Sequence, residues 1–242
     1  MQRSSVAELE ISTLDRANIR IEPWAWPFAT HRRPEIDVHF ARLKRERAGV
    51  WNGRVLLLNR YEIRERVLCG TCFETDYASF IAWRKLERAD AGVFNVFADA
   101  AILTADGAYL VGEMAAQTAA AGKRYFPSGT PEPDDLNASG MLDIEGNLAR
   151  ELLEETGLNM AELTAAPGFT LVRDAGSLAL VKTLHAAQTA QELRRRIMTF
   201  IESETNPELI DIHIVRSAAD FDPAMPRYVM AFLTHAWSAG TK

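Results

Sequence analysis

Arg150-Glu151-Leu152-Leu153-Glu154-Glu155-Thr156-Gly157-Leu158 is the stretch around which this chain is organised. Helical spacing sets Glu151, Glu154 and Glu155 at i, i+3 and i+4, so three carboxylates share one face. Leu148 and Leu152 repeat at i and i+4 on another face and can bury against a sheet. Gly157 follows the pattern, where a left-handed C-cap favours glycine. Taken alone, three clustered glutamates read as a solvated face, since glutamate is a good helix former. Yet three like charges on one turn repel one another. A hard divalent cation removes that objection, because Mg²⁺ takes oxygen ligands from carboxylates, waters and substrate phosphates.

The string Arg-Glu-Leu-x-Glu-Glu-x-Gly-Leu, met here in full at 150–158, resembles the second half of the Nudix box. The family spaces the first half as Gly-x5-Glu-x7-Arg-Glu. Here Gly129, within Ser128-Gly129-Thr130-Pro131-Glu132-Pro133-Asp134-Asp135, stands at the glycine, and Asp135 stands at the glutamate. Asp135 has the shorter reach of the two acids. Residues 136–142, with Asn137, Ser139 and Gly140, lengthen the interval to Arg150 and read as a loop insertion.

The resemblance implies a hydrolase that cuts a diphosphate joining a nucleoside to a second group, X. It implies Mg²⁺, with Mn²⁺ as a substitute, held by Glu151, Glu154 and Glu155, and a catalytic part for Glu151 and Glu154. Arg150 would pair with a neighbouring glutamate and fix its rotamer. Gly129 would let the loop backbone approach the helix and the substrate, and Arg124 would contact a phosphate. Members of the family often draw one more metal ligand or a general base from a later loop. Glu204 is the choice here, with Glu202 and Glu208 close behind.

The rest of the chain gives the setting. A formal net charge of −6 argues against general nucleic-acid affinity, and 48% apolar residues supply a sizeable core. No apolar run approaches a membrane span and no signal pattern opens the chain, so a cytoplasmic protein with no membrane partner is expected. Cys69 and Cys72 form a lone Cys-x-x-Cys with no second pair to complete a zinc site, and read as small, partly buried residues. His31, Arg32 and Arg33 form a basic cluster that reads as surface. His185, His213 and His235 read as packing or surface residues.

Residues 1–12 are polar and read as loosely ordered. A strand is expected at 19–22 and a helix from Pro34 through Arg47. Strands at 55–58 and 61–68 are expected to meet at a tight turn near Asn59-Arg60, before a helix capped by Thr75 or Asp76. Apolar runs at 93–97 and 100–104 lead through Ala105-Asp106-Gly107 into a strand at 108–113. Strands at 169–172 and 177–184, a helix from Thr189 as cap through 203, a strand at 210–215 and a helix at 227–237 complete the order. With the resemblance, this implies an α/β class: a Nudix-type α/β/α sandwich with a mixed sheet over 91–242, preceded by an N-terminal α+β extension over 1–90. A homodimer is expected by analogy with many members.

Three features resemble a subgroup of animal-type Nudix proteins that hydrolyse UDP-glucose and UDP-galactose to UMP and sugar 1-phosphate. These are Thr75-Asp76-Tyr77 before a helix in the extension, the loop string Pro127-Ser128-Gly129-Thr130-Pro131-Glu132-Pro133, and the insertion after it. A UDP-sugar therefore comes first among nucleotide substrates, with ADP-ribose, NAD-type dinucleotides and other nucleoside diphosphates behind. A catalytically silent Nudix-fold nucleotide-binding or regulatory protein is the alternative.

Overall fold

The run Asn95-Val96-Phe97-Ala98-Asp99-Ala100-Ala101-Ile102-Leu103 is buried along nearly its whole length, so it must be covered on both faces. In the computed structural model, which describes residues 9–47, 49–86 and 92–240, it is a central strand, β5 (Asn95–Leu103). Before it come β1 (Glu10–Leu14), β2 (Arg16–Ile21), α1 (Pro27–His31), α2 (Arg33–Glu46), β3 (Arg54–Arg64), β4 (Val67–Asp76) and α3 (Tyr77–Leu86). After it come β6 (Tyr109–Met114), β7 (Arg124–Tyr125), β8 (Ser128–Gly129), α4 (Ile144–Thr156) and β9 (Thr164–Ala165). The chain ends with β10 (Phe169–Asp174), β11 (Ser177–His185), α5 (Ala190–Ser203), β12 (Leu209–Val215) and α6 (Arg227–Gly240).

The larger sheet runs β1-β10-β11-β5-β6-β12, with β7 beside β6, β8 beside β5 and β9 beside β11. β11 and β5 are parallel and the other pairs antiparallel, so the sheet is mixed. Successive side chains of a strand point to opposite faces, and β5 thereby serves two cores. Val96, Ala98 and Ile102 join Leu148 and Leu152 of α4 and Ile197 of α5. Phe97 and Ala101 face Val229, Phe232 and Leu233 of α6. Helices thus cover both faces, and the expected α/β/α sandwich with a mixed sheet is the observed one. No helix among the described residues is long and apolar enough to cross a membrane.

A second sheet, β2-β4-β3, is built from the N-terminal part, with β2 parallel and β3 antiparallel to β4. Val55, Leu57 and Phe73 pack on Phe80 and Trp83 of α3. The opposite face, with Ile19, Leu56, Leu58 and Leu68, enters the same core as α4. Leu58 and Phe94 exchange backbone hydrogen bonds of 2.9 and 2.8 Å between the two sheets. The insertion at 136–142 has a partner here too: the Ile21 N–H donates to Gly140 O at 2.9 Å and the Leu142 N–H to Ile19 O at 2.8 Å. The added residues therefore extend the pairing of β2.

Several expectations need correction. Strands at 55–58 and 61–68 are not separated at Asn59-Arg60; β3 runs through, and the register shift between Leu58 and Arg60 is a bulge. The Thr71 hydroxyl donates to Asn59 Oδ1 at 2.7 Å and secures it. The turn lies at Glu65 and Arg66, both at positive φ (48° and 62°), a conformation that residues of this type rarely signal. The runs at 93–97 and 100–104 are one strand, because Asp99 between them is buried rather than a break. Of the start read as loosely ordered, residues 1–8 lie outside the described residues. Residues 10–14 are the edge strand β1, anchored by Ile11 and Leu14 in the two cores.

Leu152 is fully buried between α4 and the sheet. Leu152→Ala is expected to cost about 2–5 kcal/mol in denaturant unfolding; a loss below about 1 kcal/mol would show that α4 is not seated as described.

Candidate active site

Asp143 caps α4, its Oδ1 accepting from the Gly146 N–H at 2.9 Å. Gly157 ends the helix at φ 68°, and a Cβ there would meet the Phe200 ring at 2.5 Å. Between the caps, Ile144, Leu148 and Leu152 are buried. Their stripe fixes the helix rotation and with it the direction of the glutamates.

The glycine loop reaches those glutamates through an opening in the sheet. β5 and β6 pair only at Leu103 and Tyr109, next to their turn, and then part. β8 takes the freed edge of β5, with Ala98 opposite Gly129, and β7 takes that of β6, with Gly112 opposite Tyr125. A Cβ on Gly129 would overlap the Glu151 carboxylate. Any larger residue would have to displace that carboxylate.

The three carboxylates do not share one open face. Glu155 is 4% exposed and its Oε2 has no hydrogen-bond partner. The Glu151 side chain is 14% exposed, whereas that of Glu154 is 58% exposed. Arg150 lies 2.9 Å from Glu151 Oε1 and 3.2 Å from Glu154 Oε2. It also donates to both oxygens of Asp135, at 3.2 and 3.3 Å. Asp135 is buried and accepts from Asn147 Nδ2 at 3.0 Å and from the Glu132 N–H at 2.8 Å. The aspartate at the box-glutamate position is thus a support for Arg150.

Burial pushes the Glu151 carboxyl up to about 7; Arg150 opposes the shift and Glu154 and Glu208 add to it. Burial raises Glu155 well above the carboxylate range, with the charges of Glu151 and Glu208 acting in the same direction. Glu208 is itself raised by desolvation and by Glu154, although one side of it is open to solvent. Of the late-loop acids, Glu208 is the one whose charge bears on Glu151 and Glu155. Glu204 is the exposed C-cap residue of α5, and Glu202 is exposed on its last turn. Spacing alone does not distinguish these acids; the course of the chain from α5 into β12 does. Among the described residues, no three acidic, histidine or cysteine side chains already surround one point. Glu151 and Glu154 are instead drawn to Arg150.

Arg124 is engaged elsewhere, 2.9 Å from Glu113 and 2.8 Å from Asp222, with His213 completing the network at 2.7 Å from Glu113. Arg33 of the basic cluster ties α2 to Asp76, the cap of α3, at 2.8 Å. Cys69 and Cys72 are free, with Cys72 in the core.

Sequence reading missed Asp99, a carboxyl fully buried on β5. The Tyr228 hydroxyl lies 3.4 Å from its Oδ1, its Oδ2 has no partner, and burial raises it well above the carboxylate range. An acid inside an apolar run was the available signal. Two cavities flank the cluster: a groove of about 580 Å³ lined by Trp51, Tyr77, Glu132 and Glu208, and a cavity of about 330 Å³ lined by Arg84, Asn95, Phe97, Lys123, Gly129 and Tyr228.

No family model and no curated protein matches the chain. Solved structures do. The MutT protein from Methanosarcina mazei Go1 is 17% identical, with 62% of this chain and 96% of that one covered and a TM-score of 0.41. The NUDIX domain of Shewanella oneidensis NrtR, solved with ADP ribose, is 14% identical over 66% of this chain and 97% of that one, with a TM-score of 0.42. A C. elegans Ap4A hydrolase is 15% identical over 60% and 98%, with a TM-score of 0.35.

A buried carboxylate without a partner destabilises the fold that holds it. Glu155→Gln is expected to melt in EDTA at or above the wild-type temperature by calorimetry. A melting temperature several degrees lower would mean that the carboxylate makes a stabilising contact.

Proposed function

We propose that this chain is a Nudix-type pyrophosphohydrolase acting on a nucleoside diphosphate linked to X, with a UDP-sugar as first candidate. The observation that carries this reading is the Glu155 carboxyl, buried beside Glu151 with one oxygen, Oε2, left without a partner, beneath a loop whose Gly129 lies against the Glu151 carboxylate. Such a group is costly unless an ion compensates it. The donor set suits Mg²⁺ or Mn²⁺, being all oxygen: Glu151, Glu154 and Glu155, with Glu208 in the part expected of Glu204. When bound, the ion would neutralise diphosphate oxygens and acidify a coordinated water.

The residues of the chain supply the rest. Glu151 and Glu154 can accept the proton of the attacking water. Arg150, fastened to Asp135, orients both carboxylates. Gly129 holds the loop backbone against that face. Arg124 is not the phosphate contact in this reading, since Glu113 and Asp222 occupy it. The UDP-sugar assignment, giving UMP and sugar 1-phosphate, rests on Thr75-Asp76-Tyr77, the proline-flanked loop at 127–133 and the insertion that pairs with β2. A second reading, a silent nucleotide-binding protein, draws on the aspartate at 135 and on the absence of a ready-made cage among the described residues.

The test is product release from UDP-glucose, UDP-galactose, ADP-ribose, NADH and diadenosine polyphosphates, with Mg²⁺ and with EDTA. Mg²⁺-dependent cleavage is expected, UDP-sugars leading, and Glu154→Gln and Glu155→Gln should each lower it by about 10²-fold or more. Cleavage of another member alone would discard the UDP-sugar. No cleavage of any would leave the silent protein.

A further inference from the structure

We infer that Arg84, carried by α3 of the N-terminal part, is a contact for the substrate diphosphate, placed on the wall of a cavity for the nucleoside. This rests on the proposed nucleotide chemistry and adds the residue that the acid cluster lacks.

Arg84 is exposed at the end of α3 and makes no ion pair among the described residues, its guanidinium lying 5.5 Å from the Phe80 ring centre. Arg33, Arg54, Arg124, Arg150 and Arg216 all face carboxylates. Arg84 shares the lack of an ion pair with Arg16, Arg20 and Arg195 among the described residues, and differs from them in lining a cavity. It lines the smaller cavity, and its charge acts on Tyr125 and Tyr228 there and on Tyr77, which lines the larger groove. Tyr125 also feels Glu155 and Glu208. The same cavity is lined by Gly129, which lies against Glu151, so the space it encloses has the unpaired guanidinium on one wall and the acid cluster behind another. A diphosphate suits that gap, because it can meet a divalent ion on the carboxylate side and a planar fork of N–H donors on the other.

The cavity has the chemistry of a nucleoside site. Its volume of about 330 Å³ is in the range of small-molecule pockets. Asn95 lines it, 7% exposed, with an Oδ1 that has no partner. Phe97 and Tyr228 stand edge to face beside it, their centroids 5.6 Å apart. A buried carboxamide acceptor next to aromatic rings fits a planar heterocycle with an N–H on its edge. Lys123 adds a second cation to the lining, against one carboxylate, Asp174. The larger groove, which reaches Glu208, offers Trp51, 73% exposed, as a platform for X.

The experiment is calorimetric titration in EDTA of UDP and ADP, against uridine and adenosine, into wild type, Arg84→Ala and Arg84→Lys. The wild type should prefer diphosphate to nucleoside. Arg84→Ala should weaken UDP or ADP by about 10–100-fold, the size of a charge-assisted hydrogen bond, and leave the nucleosides unchanged, with Arg84→Lys recovering part. Equal affinity of wild type and Arg84→Ala for the diphosphates would overturn the assignment, as would a wild type with no preference for them. Arg84-dependent binding without Mg²⁺-dependent hydrolysis would sink the hydrolase reading and keep this contact.

Discussion

A single guanidinium faces three carboxylates in the middle of this fold, and a fourth carboxyl nearby has one oxygen without a partner. Arg150 spans Asp135, Glu151 and Glu154, while the buried Glu155 Oε2 is left without a hydrogen bond. Burying charge is expensive, so this arrangement persists only where the surrounding structure dictates it. Here it does. Leu148 and Leu152 fix the rotation of α4, the parting of β5 and β6 admits the glycine loop, and Gly129 closes on Glu151 where a side chain would displace its carboxylate.

The N-terminal part is bound into the same construction. One face of its sheet shares the α4 core, and the insertion after the glycine loop pairs with β2. Lengthening the box at this point leaves Asp135 beside Arg150, because residues 136–142 loop out toward β2 between them. The shorter acid still reaches Arg150, and two further hydrogen bonds hold it there. The same docking sets α3 against the site and brings Arg84 to the cavity wall.

What could be read in the sequence was local. The apolar stripe of α4, its glycine cap and the Thr189 cap of α5 follow from spacing within one or two turns, and each lies where the pattern put it. The sandwich followed from the order of apolar runs only when joined to the resemblance of 150–158 to the Nudix box. The misplaced features depend on partners distant in the chain. The β3 bulge is held by Thr71 across the strand pair. Asp99 finds Tyr228 at the start of α6. Glu208, not Glu204, approaches Glu151 and Glu155, because the chain turns into β12 at that point. Arg124 looked like a phosphate contact by position, and only Glu113 and Asp222 reveal its engagement. Helical period speaks for residues on one element; it is silent on what other elements deliver.

The central claim is that the acid face of α4 is a divalent-cation site, and electron paramagnetic resonance of Mn²⁺ tests it without a substrate. Titrating Mn²⁺ into the wild type should deplete the free-ion signal, and Glu151→Gln combined with Glu155→Gln should restore it while the protein stays folded by circular dichroism. A free-ion signal equal in wild type, double variant and buffer would contradict the claim, and the unpartnered Glu155 would need another explanation.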